Sequence, residues 1–148
     1  MEKLYIDLKN QITERMSDTV RMVDEDCGQI EAAQQGEDQY PIDTPCVLIG
    51  TPEVEWTCIK TAEGIRQLGK ATFTVRLAFD CYDDTHAGSP DSDTGPEARM
   101  AAARELNACI HGWQFAGCSS VCTRTYSRSY TAGRMKIYDT AYRTEIEE

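Results

Sequence analysis

The sequence predicts an α+β fold, in which a single domain over residues 1–148 holds a mostly antiparallel sheet. Two main helices pack on one face of that sheet, and a hairpin closes the chain. Three observations predict this class: an N-terminal apolar stripe at helical spacing, central strands separated by turns, and two strand-like segments at the C-terminus. Strands joined mostly by turns, with helices laid on one face, are typical of α+β proteins. A chain of 148 residues is long enough for one core but not for two.

The N-terminal segment is predicted to be an amphipathic helix that ends near Ser17–Asp18. Its apolar residues recur every four positions and fall on one face, with Tyr5 beside them. The stripe consists of Leu4, Leu8, Ile12 and Met16. A short strand is expected around Val20–Val23. The polar, proline-marked segment AAQQGEDQYPIDTP that follows is predicted to be a loop.

The central part of the chain is predicted to hold the main strands. The compact apolar run PCVLIG, residues 45–50, has the length and β-branched content of a strand buried on both faces. Residues 53–60 are predicted to form another short strand, and Gln67–Lys70 a turn. From Ala71 onward apolar and polar residues alternate, which predicts a strand with one buried face. That face carries Phe73, Val75, Leu77, Phe79 and Cys81.

A polar loop separates this strand from a second helix, expected to begin near Pro96–Glu97. Proline is favoured at the first helical position, and an acidic residue is favoured in the first turn. The predicted inner face comprises Ala98, Ala102, Leu106, Cys109 or Ile110, and Trp113. The helix should end near Gly112. After it, CTRTYSRSYT and RMKIYDTAYRTEIE are predicted to pair as a hairpin with its turn at Ala132–Gly133.

The first arm of this hairpin lacks a convincing apolar face, so we expect a solvated edge strand or an arm that contacts another subunit. Tyr and Arg are enriched at protein interfaces. The candidate subunit interface therefore consists of the residues predicted to share one face of the arm: Arg124, Tyr126, Arg128 and Tyr130. A basic arm on an acidic body could dock on a neighbouring copy, and head-to-tail contacts of this kind generate a ring if the rotation closes.

Charge is unevenly distributed along the chain. The net charge is −10, from 25 acidic and 15 basic residues, which argues against a general or sequence-specific nucleic-acid binder. Basic residues interleaved with aromatic ones can bind single strands, but here the basic stretch is short. No Lys or Arg occurs between Arg21 and Lys60, whereas the C-terminal third is richer in basic residues. The absence of a signal-peptide core and of a long apolar run predicts a cytosolic protein that does not enter membranes.

The carboxylates near the end of the longest predicted strand raise the question of a metal site. Asp80, Asp83, Asp84 and His86 offer oxygen and nitrogen ligands. Strand alternation, however, separates Asp80 from the others, and the nearby Asp91–Gly95 segment fails the EF-hand pattern. The residues favour a solvated strand end over a metal site. A small cytosolic enzyme or metal-binding protein using a site near Asp80–His86 is the alternative function.

No catalytic constellation emerges from the remaining residues. The seven cysteines are odd in number and scattered, without an export signal, and we interpret them as reduced structural thiols. Cys118 and Cys122 do not have the usual spacing of zinc ligands. No Gly-rich phosphate loop or nucleophile elbow is present. We therefore predict a protein that is not an enzyme and that has no catalytic, cofactor-binding or metal-binding residues.

The order of elements resembles the tail terminator and minor tail (tail completion) protein families of long-tailed phages and prophages. The resemblance covers nearly the whole chain. It is carried by the first helix at Lys3–Met16, the PCVLIG strand, ATFTVRLAFDCYDD, a polar loop, the helix EARMAAARELNACIHGW and the terminal hairpin. It is a pattern of elements and not a diagnostic motif.

The resemblance implies a non-enzymatic ring that caps the tail tube and joins it to the head. It implies a homo-oligomer that contacts other tail or connector proteins, assembles in the host cytoplasm and resides in the virion tail. An acidic lumen would repel the passing DNA duplex and let it slide. The segment Asp83–Pro96 has no basic residue and is a candidate surface for either the lumen or the next ring.

Overall fold

The computed structural model describes residues 1–36, 42–81 and 95–148, which form one six-stranded sheet and three helices. The helices are α1 (Glu2–Arg15), α2 (Gln29–Gln34) and α3 (Pro96–Ile110). The strands are β1 (Met22–Glu25), β2 (Cys46–Ile49), β3 (Glu53–Thr61), β4 (Gly64–Asp80), β5 (Thr123–Ala132) and β6 (Met135–Glu147). The fold is α+β, as the sequence predicts.

The sheet is built around the long strand β4. Its strand order is β1-β2-β4-β6-β5, and β3 also pairs with β4. On one edge of β4, the segment Val75–Ala78 pairs with β2 and the segment Gly64–Thr72 pairs with β3. The other edge pairs with β6. All pairs are antiparallel except β1 with β2, so the prediction of a mostly antiparallel sheet is confirmed.

The main core lies between one sheet face and the helices α1 and α3. The predicted stripe of α1 is confirmed, because Leu4, Leu8, Ile12 and Met16 are each at most 1% exposed. These side chains pack with Phe73, Val75, Leu77 and Phe79, the predicted inner face of β4. The prediction of two main helices on one sheet face is therefore confirmed. Burial of this apolar surface is the largest favourable contribution to folding.

The opposite face of the sheet is covered at one end by α2, which the sequence did not predict. The second half of this helix, residues 32–34, falls in the segment that was predicted to be a loop, and Gly28 precedes the helix in the left-handed conformation, with φ of 83°. Ile30 of α2 packs with Leu48 of β2 and Ile137 of β6. With α2 on this face and α1 and α3 on the other, all residues of β2 are buried, as predicted.

The predicted turn at Gln67–Lys70 is wrong, because these residues belong to β4. The chain turns instead at residues 62–63, between β3 and β4. From Thr57 to Gln67 this two-stranded ribbon is exposed on both faces. The predicted strand over residues 53–60 is confirmed as β3, whereas Gln67–Lys70 contains a glycine and one apolar side chain and therefore gave no strand alternation.

Helix α3 is the second helix that the sequence predicted, and it begins at Pro96 as expected. Its buried face differs from the predicted one. Ala102, Leu106, Cys109 and Ile110 are buried, whereas Ala98 is exposed and the buried residue of the first turns is Arg99. Trp113 lies beyond the end of the helix and is 39% exposed. Its ring packs against the guanidinium of Arg15, which lies 4.3 Å from the ring centroid.

Candidate interaction surface at the β5 edge

Strand β5 is an edge strand whose residues are mostly exposed. It pairs only with β6, and the hairpin turns at Gly133, which adopts φ of 59°. The predicted C-terminal hairpin is confirmed, and its first arm is exposed in the single chain. An exposed edge presents unpaired backbone N–H and C=O groups, which makes it a natural contact surface for another chain.

A β-bulge divides the predicted interface residues between the two faces of the sheet. The pairing of β5 with β6 shifts between Arg124 and Tyr126, so Thr125 is an extra residue. Residues directly opposite in an antiparallel pair share a face. Arg124 lies opposite Tyr142, whose side chain is in the main core, and therefore faces α3.

The other three predicted residues lie on the face that carries α2. Tyr126, Arg128 and Tyr130 stand opposite Ala141, Asp139 and Ile137. The prediction of one face for all four residues is therefore wrong at Arg124, because a bulge reverses the alternation of side chains.

On the α2 face, Arg128 is held by two partners. Its guanidinium donates to Asp139 Oδ2 from Nε and Nη2, each at 3.1 Å, and lies 5.0 Å from the ring centroid of Tyr130. Tyr126 is 60% exposed. Arg128 is thus fixed in place, while Tyr126 projects into solvent.

Tyr130 connects this surface to a buried ion cluster around Arg76. Arg76 Nη1 donates to the Tyr130 hydroxyl at 3.3 Å. Arg76 also donates to both carboxylate oxygens of Asp26, at 2.6 and 2.7 Å, and to both of Glu31, at 2.6 and 3.1 Å. The cluster links β4, the start of α2 and β5 by hydrogen bonds. It therefore helps to fix the position of the edge strand on the α2 face of the sheet.

The pKa values in this cluster follow from its geometry. The hydrogen bond from Arg76 lowers the pKa of Glu31 below its usual value, against the effect of partial burial. Burial alone would lower the pKa of Arg76, but hydrogen bonds to Glu31 and Asp26 outweigh burial and raise it. Arg76 and Glu31 therefore both remain charged at neutral pH.

On the α3 face, Arg124 lines a groove between α3 and the β5–β6 hairpin, which we call the basic groove. Its volume is about 510 Å³. It is lined by Met100, Ala103, Arg104, Asn107, Arg124, Ser127, Arg128, Ser129, Tyr138 and Thr140. Among the described residues, the lining contains arginines and neutral groups but no carboxylate, although the chain as a whole is strongly acidic.

The end of α3 fixes the wall of the groove. His111, the residue that caps the helix, accepts a hydrogen bond at Nδ1 from the Arg124 backbone N–H at 3.1 Å. Asn107 accepts one at Oδ1 from the Tyr142 hydroxyl at 3.0 Å. These contacts attach β5 and β6 to the last turn of α3.

Two arginines of this region were not predicted. Arg104 lies on the exposed side of α3, and no local pattern relates it to a strand twenty residues later. Arg76 did offer a signal, because it is a charged residue in an otherwise apolar strand segment. A charge in such a position requires a buried partner.

The alternative site near Asp80–His86 is described only at Asp80. Asp80 Oδ2 accepts a hydrogen bond from Arg134 Nη2 at 2.9 Å. Asp83, Asp84, His86 and most of the Asp83–Pro96 segment lie outside the described residues. Within the described ranges, no three Cys, His, Asp or Glu side chains form a group that could hold a metal ion.

The seven cysteines are free thiols in this structure. Burial raises the pKa of Cys46 to about 11 and the pKa of Cys122 to about 12. Burial also raises the pKa of Cys109 and of Cys118. Nucleophilic cysteines have a lowered pKa, so these four are suited to packing and not to catalysis.

In the described part of the chain, no helix combines the length and apolar character needed to cross a bilayer.

Comparisons with known proteins relate the fold, but not the sequence, to a virion. No protein-family model matches the chain, and no curated protein sequence matches it. A chain of the structure described as "Virion of native gene transfer agent (GTA) particle" has a similar fold, with a TM-score of 0.56 and 13% identity. The match covers 99% of this chain and 96% of that chain. At this identity the likeness shows a shared fold.

Proposed function

We propose that this chain is a structural protein of a phage or prophage virion. In this proposal it is a tail terminator or tail-completion component that joins head and tail, and it self-assembles into a ring. It assembles in the host cytoplasm, contacts other tail or connector proteins and catalyses no reaction. The observation that carries the proposal is the similarity of fold to a chain of a gene transfer agent virion over nearly the full length of both chains.

Full-length agreement supports this proposal better than a local match would. A fold alone does not determine function, since one fold hosts many activities. Here the shared fold agrees with an independent observation, the resemblance in the order of helices and strands to tail completion proteins. The raised pKa values of the buried thiols also disfavour the cysteine-enzyme alternative.

The distribution of charge over the sheet supports self-assembly. One edge of the sheet carries exposed carboxylates on β1 and β3, and we call it the acidic edge. It comprises Asp24, Glu25, Glu53 and Glu55. The opposite edge is β5, which contains Arg124 and Arg128 and no acidic residue. Complementary patches at different places on one molecule produce heterologous, head-to-tail contacts that can close into a ring.

Sedimentation across a range of protein concentration and salt tests the proposed assembly. We expect a ring-sized species at low salt that dissociates as salt screens the charged contacts. A protein that stays monomeric under all these conditions would contradict self-assembly. The variant Arg124→Glu with Arg128→Glu should shift the population to monomers.

The bulge makes the two single variants informative about which face is used. Arg124→Glu perturbs the α3 face, whereas Arg128→Glu also breaks the ion pair with Asp139 on the α2 face, because Arg128 both pairs with Asp139 and lines the basic groove. The matched control, Lys3→Glu with Arg66→Glu, changes the net charge equally at exposed positions away from β5. Thermal unfolding of each variant checks that the fold is retained. If the β5 double variant assembles like wild type, β5 is not the docking element.

A further inference from the structure

The basic groove contains two arginines whose charge is not neutralised by the described part of the chain. Arg104 and Arg124 are exposed, and neither has an ion-pair partner among the described residues. Five other arginines do form ion pairs: Arg21, Arg66, Arg76, Arg128 and Arg134. In a chain with 25 acidic and 15 basic residues, two unpaired arginines in one groove form a distinct site for an anionic group.

The groove also offers neutral hydrogen-bond donors. Ser127 and Ser129 lie opposite Thr140 and Tyr138, and so face α3 together with Arg124. The amide of Asn107 accepts from Tyr142 at its oxygen, which leaves its NH₂ group as a donor. Guanidinium, hydroxyl and amide donors in one groove match the acceptor oxygens of carboxylates.

The acidic edge carries the complementary charge, and two of its exposed carboxylates have no ion-pair partner among the described residues. Glu25 Oε1 accepts a hydrogen bond from Thr51 Oγ1 at 3.0 Å, and Glu53 begins β3 two residues later. The register places Glu25 beside Ile49, on the face that carries α1 and α3. It places Glu53 beside Thr72, on the face that carries α2. The two carboxylates therefore flank the acidic edge from its two faces. Within residues 1–36, 42–81 and 95–148, neither Glu25 nor Glu53 forms an ion pair with Lys or Arg, and both are exposed.

The topology prevents the two surfaces from meeting within one molecule. β1 and β5 are the first and last strands of the order β1-β2-β4-β6-β5. Four strand spacings of ~4.8 Å place them about 19 Å apart, and β3, which carries Glu53, lies three spacings or about 14 Å from β5. A carboxylate of the acidic edge can therefore reach a basic groove only in another molecule.

We propose that the basic groove of one copy binds the acidic edge of a second copy. Glu25 and Glu53 of the second copy pair with Arg104 and Arg124, and Ser127 supplies a hydrogen bond beside them. The contact is head-to-tail, so each copy uses its groove on one side and its acidic edge on the other. This inference rests on the proposed self-assembly and names the surfaces that carry it.

A second copy is favoured over nucleic acid as the partner. Phosphates would also pair with arginines, but the protein carries a net charge of −10. A second copy carries the same net charge, but it presents the exposed carboxylates of the acidic edge at fixed positions, whereas a duplex is repelled along its whole length by its phosphates. We therefore treat DNA binding as an outcome that would overturn the proposal.

Charge reversal on each surface tests the contact. The groove variant is Arg104→Glu with Arg124→Glu, and the edge variant is Glu25→Arg with Glu53→Arg. Each variant alone places like charges in contact and should weaken self-association about a hundredfold in sedimentation or native mass measurements. The control Lys3→Glu with Arg66→Glu should associate like wild type.

Recombining the variants gives the decisive measurement. An equimolar mixture of groove and edge variants should assemble, because each groove then meets an edge of opposite charge. A chain with all four reversals should assemble by itself for the same reason. Both results are expected only if these two surfaces touch, since misfolded variants would not rescue each other.

The outcomes separate this inference from the proposed function. Wild type that assembles while the mixture and the fourfold variant stay dissociated overturns the inference and leaves self-assembly standing. Wild type that is monomeric at every concentration and salt overturns both. A short duplex DNA that binds wild type but not the groove variant, with self-association equal in the two, would assign the groove to phosphate and overturn the inference.

Discussion

Arg76 and Asp26 form a bidentate ion pair in the interior of the protein. Arg76 Nε lies 2.6 Å from Asp26 Oδ2 and Arg76 Nη2 lies 2.7 Å from Oδ1. The side chains are 11% and 13% exposed. Removing one member of a buried pair leaves the other as an uncompensated charge, which is more harmful than losing the attraction itself.

Asp26→Ala leaves Arg76 paired with Glu31 but removes the acceptor of its Nε. It should lower the free energy of unfolding by about 1–3 kcal/mol in urea denaturation. The triple variant Arg76→Met with Asp26→Leu and Glu31→Gln leaves no orphaned charge and should retain most of the wild-type stability. Glu25→Ala, at the exposed neighbouring position, is the control. If Asp26→Ala lowers the free energy of unfolding by less than about 1 kcal/mol, the pair contributes no more than an ordinary surface ion pair does.

Glu31 predicts how stability depends on pH. Its pKa is lowered in the folded protein by the hydrogen bond from Arg76, so the unfolded state takes up a proton first as the pH falls. The stabilising contribution is present above the usual glutamate pKa of 4.5 and is lost as the pH falls through the folded pKa. The effect should be modest, because the side chain is 54% exposed.

Thermal melting from neutral to acidic pH measures this contribution. Glu31→Gln should show a shallower decline of the melting temperature below pH 4.5 than wild type. Glu14→Gln, at an exposed position of α1, should follow the wild-type curve. Identical curves for wild type and Glu31→Gln would show that the ion pair does not contribute.

Gly69 leaves the space that two neighbouring side chains occupy on the ribbon. A Cβ atom there would lie 2.5 Å from Val54 Cγ1 and 2.9 Å from Trp56 Cε3. Gly69→Ala should therefore displace the Trp56 ring and lower stability by about 1–3 kcal/mol. The same substitution in a Val54→Ala, Trp56→Ala background should cost much less, and an equal cost in both backgrounds would contradict a steric cause.

Thiol labelling at mildly alkaline pH should divide the cysteines by burial. Cys27 and Cys58 are exposed and should react quickly. Cys46, Cys109 and Cys122 are buried and should react only after unfolding. A single thiol that reacts much faster than the exposed ones would point to an activated nucleophile and revive the enzyme alternative.

The sequence predicted those helices and strands whose buried faces produce a regular spacing of apolar residues. The stripe of α1, the alternation in β4 from Ala71 and the wholly apolar β2 each record a buried face, and all three are where the patterns place them. Elements without such a spacing of apolar residues were missed. Helix α2 is six residues long, too short for a helical period to show. Gln67–Lys70 has a single apolar side chain, Leu68, followed by a glycine, so it shows no alternation.

The sequence predicted which segment forms the candidate surface. It did not predict which face of the sheet each residue of that segment lies on. The composition of β5 indicated an exposed, basic and aromatic edge, and the structure has one. The bulge at Thr125 has no characteristic residue type, so the separation of Arg124 from Tyr126 and Arg128 could not be read from alternation. Arg104 joins Arg124 only through the packing of α3 on the hairpin, which is a tertiary relationship.

The length of β4 has a mechanical consequence. The strand runs from the exposed ribbon through the centre of the sheet, and thirteen of its residues, Leu68 to Asp80, pair with β6. Hydrogen bonds in an antiparallel pair lie across the strands, so tension applied at the ribbon tip loads them all together in shear. We expect the ribbon to behave as a stiff tether, which transmits a pull to the centre of the protein without peeling strands apart one bond at a time.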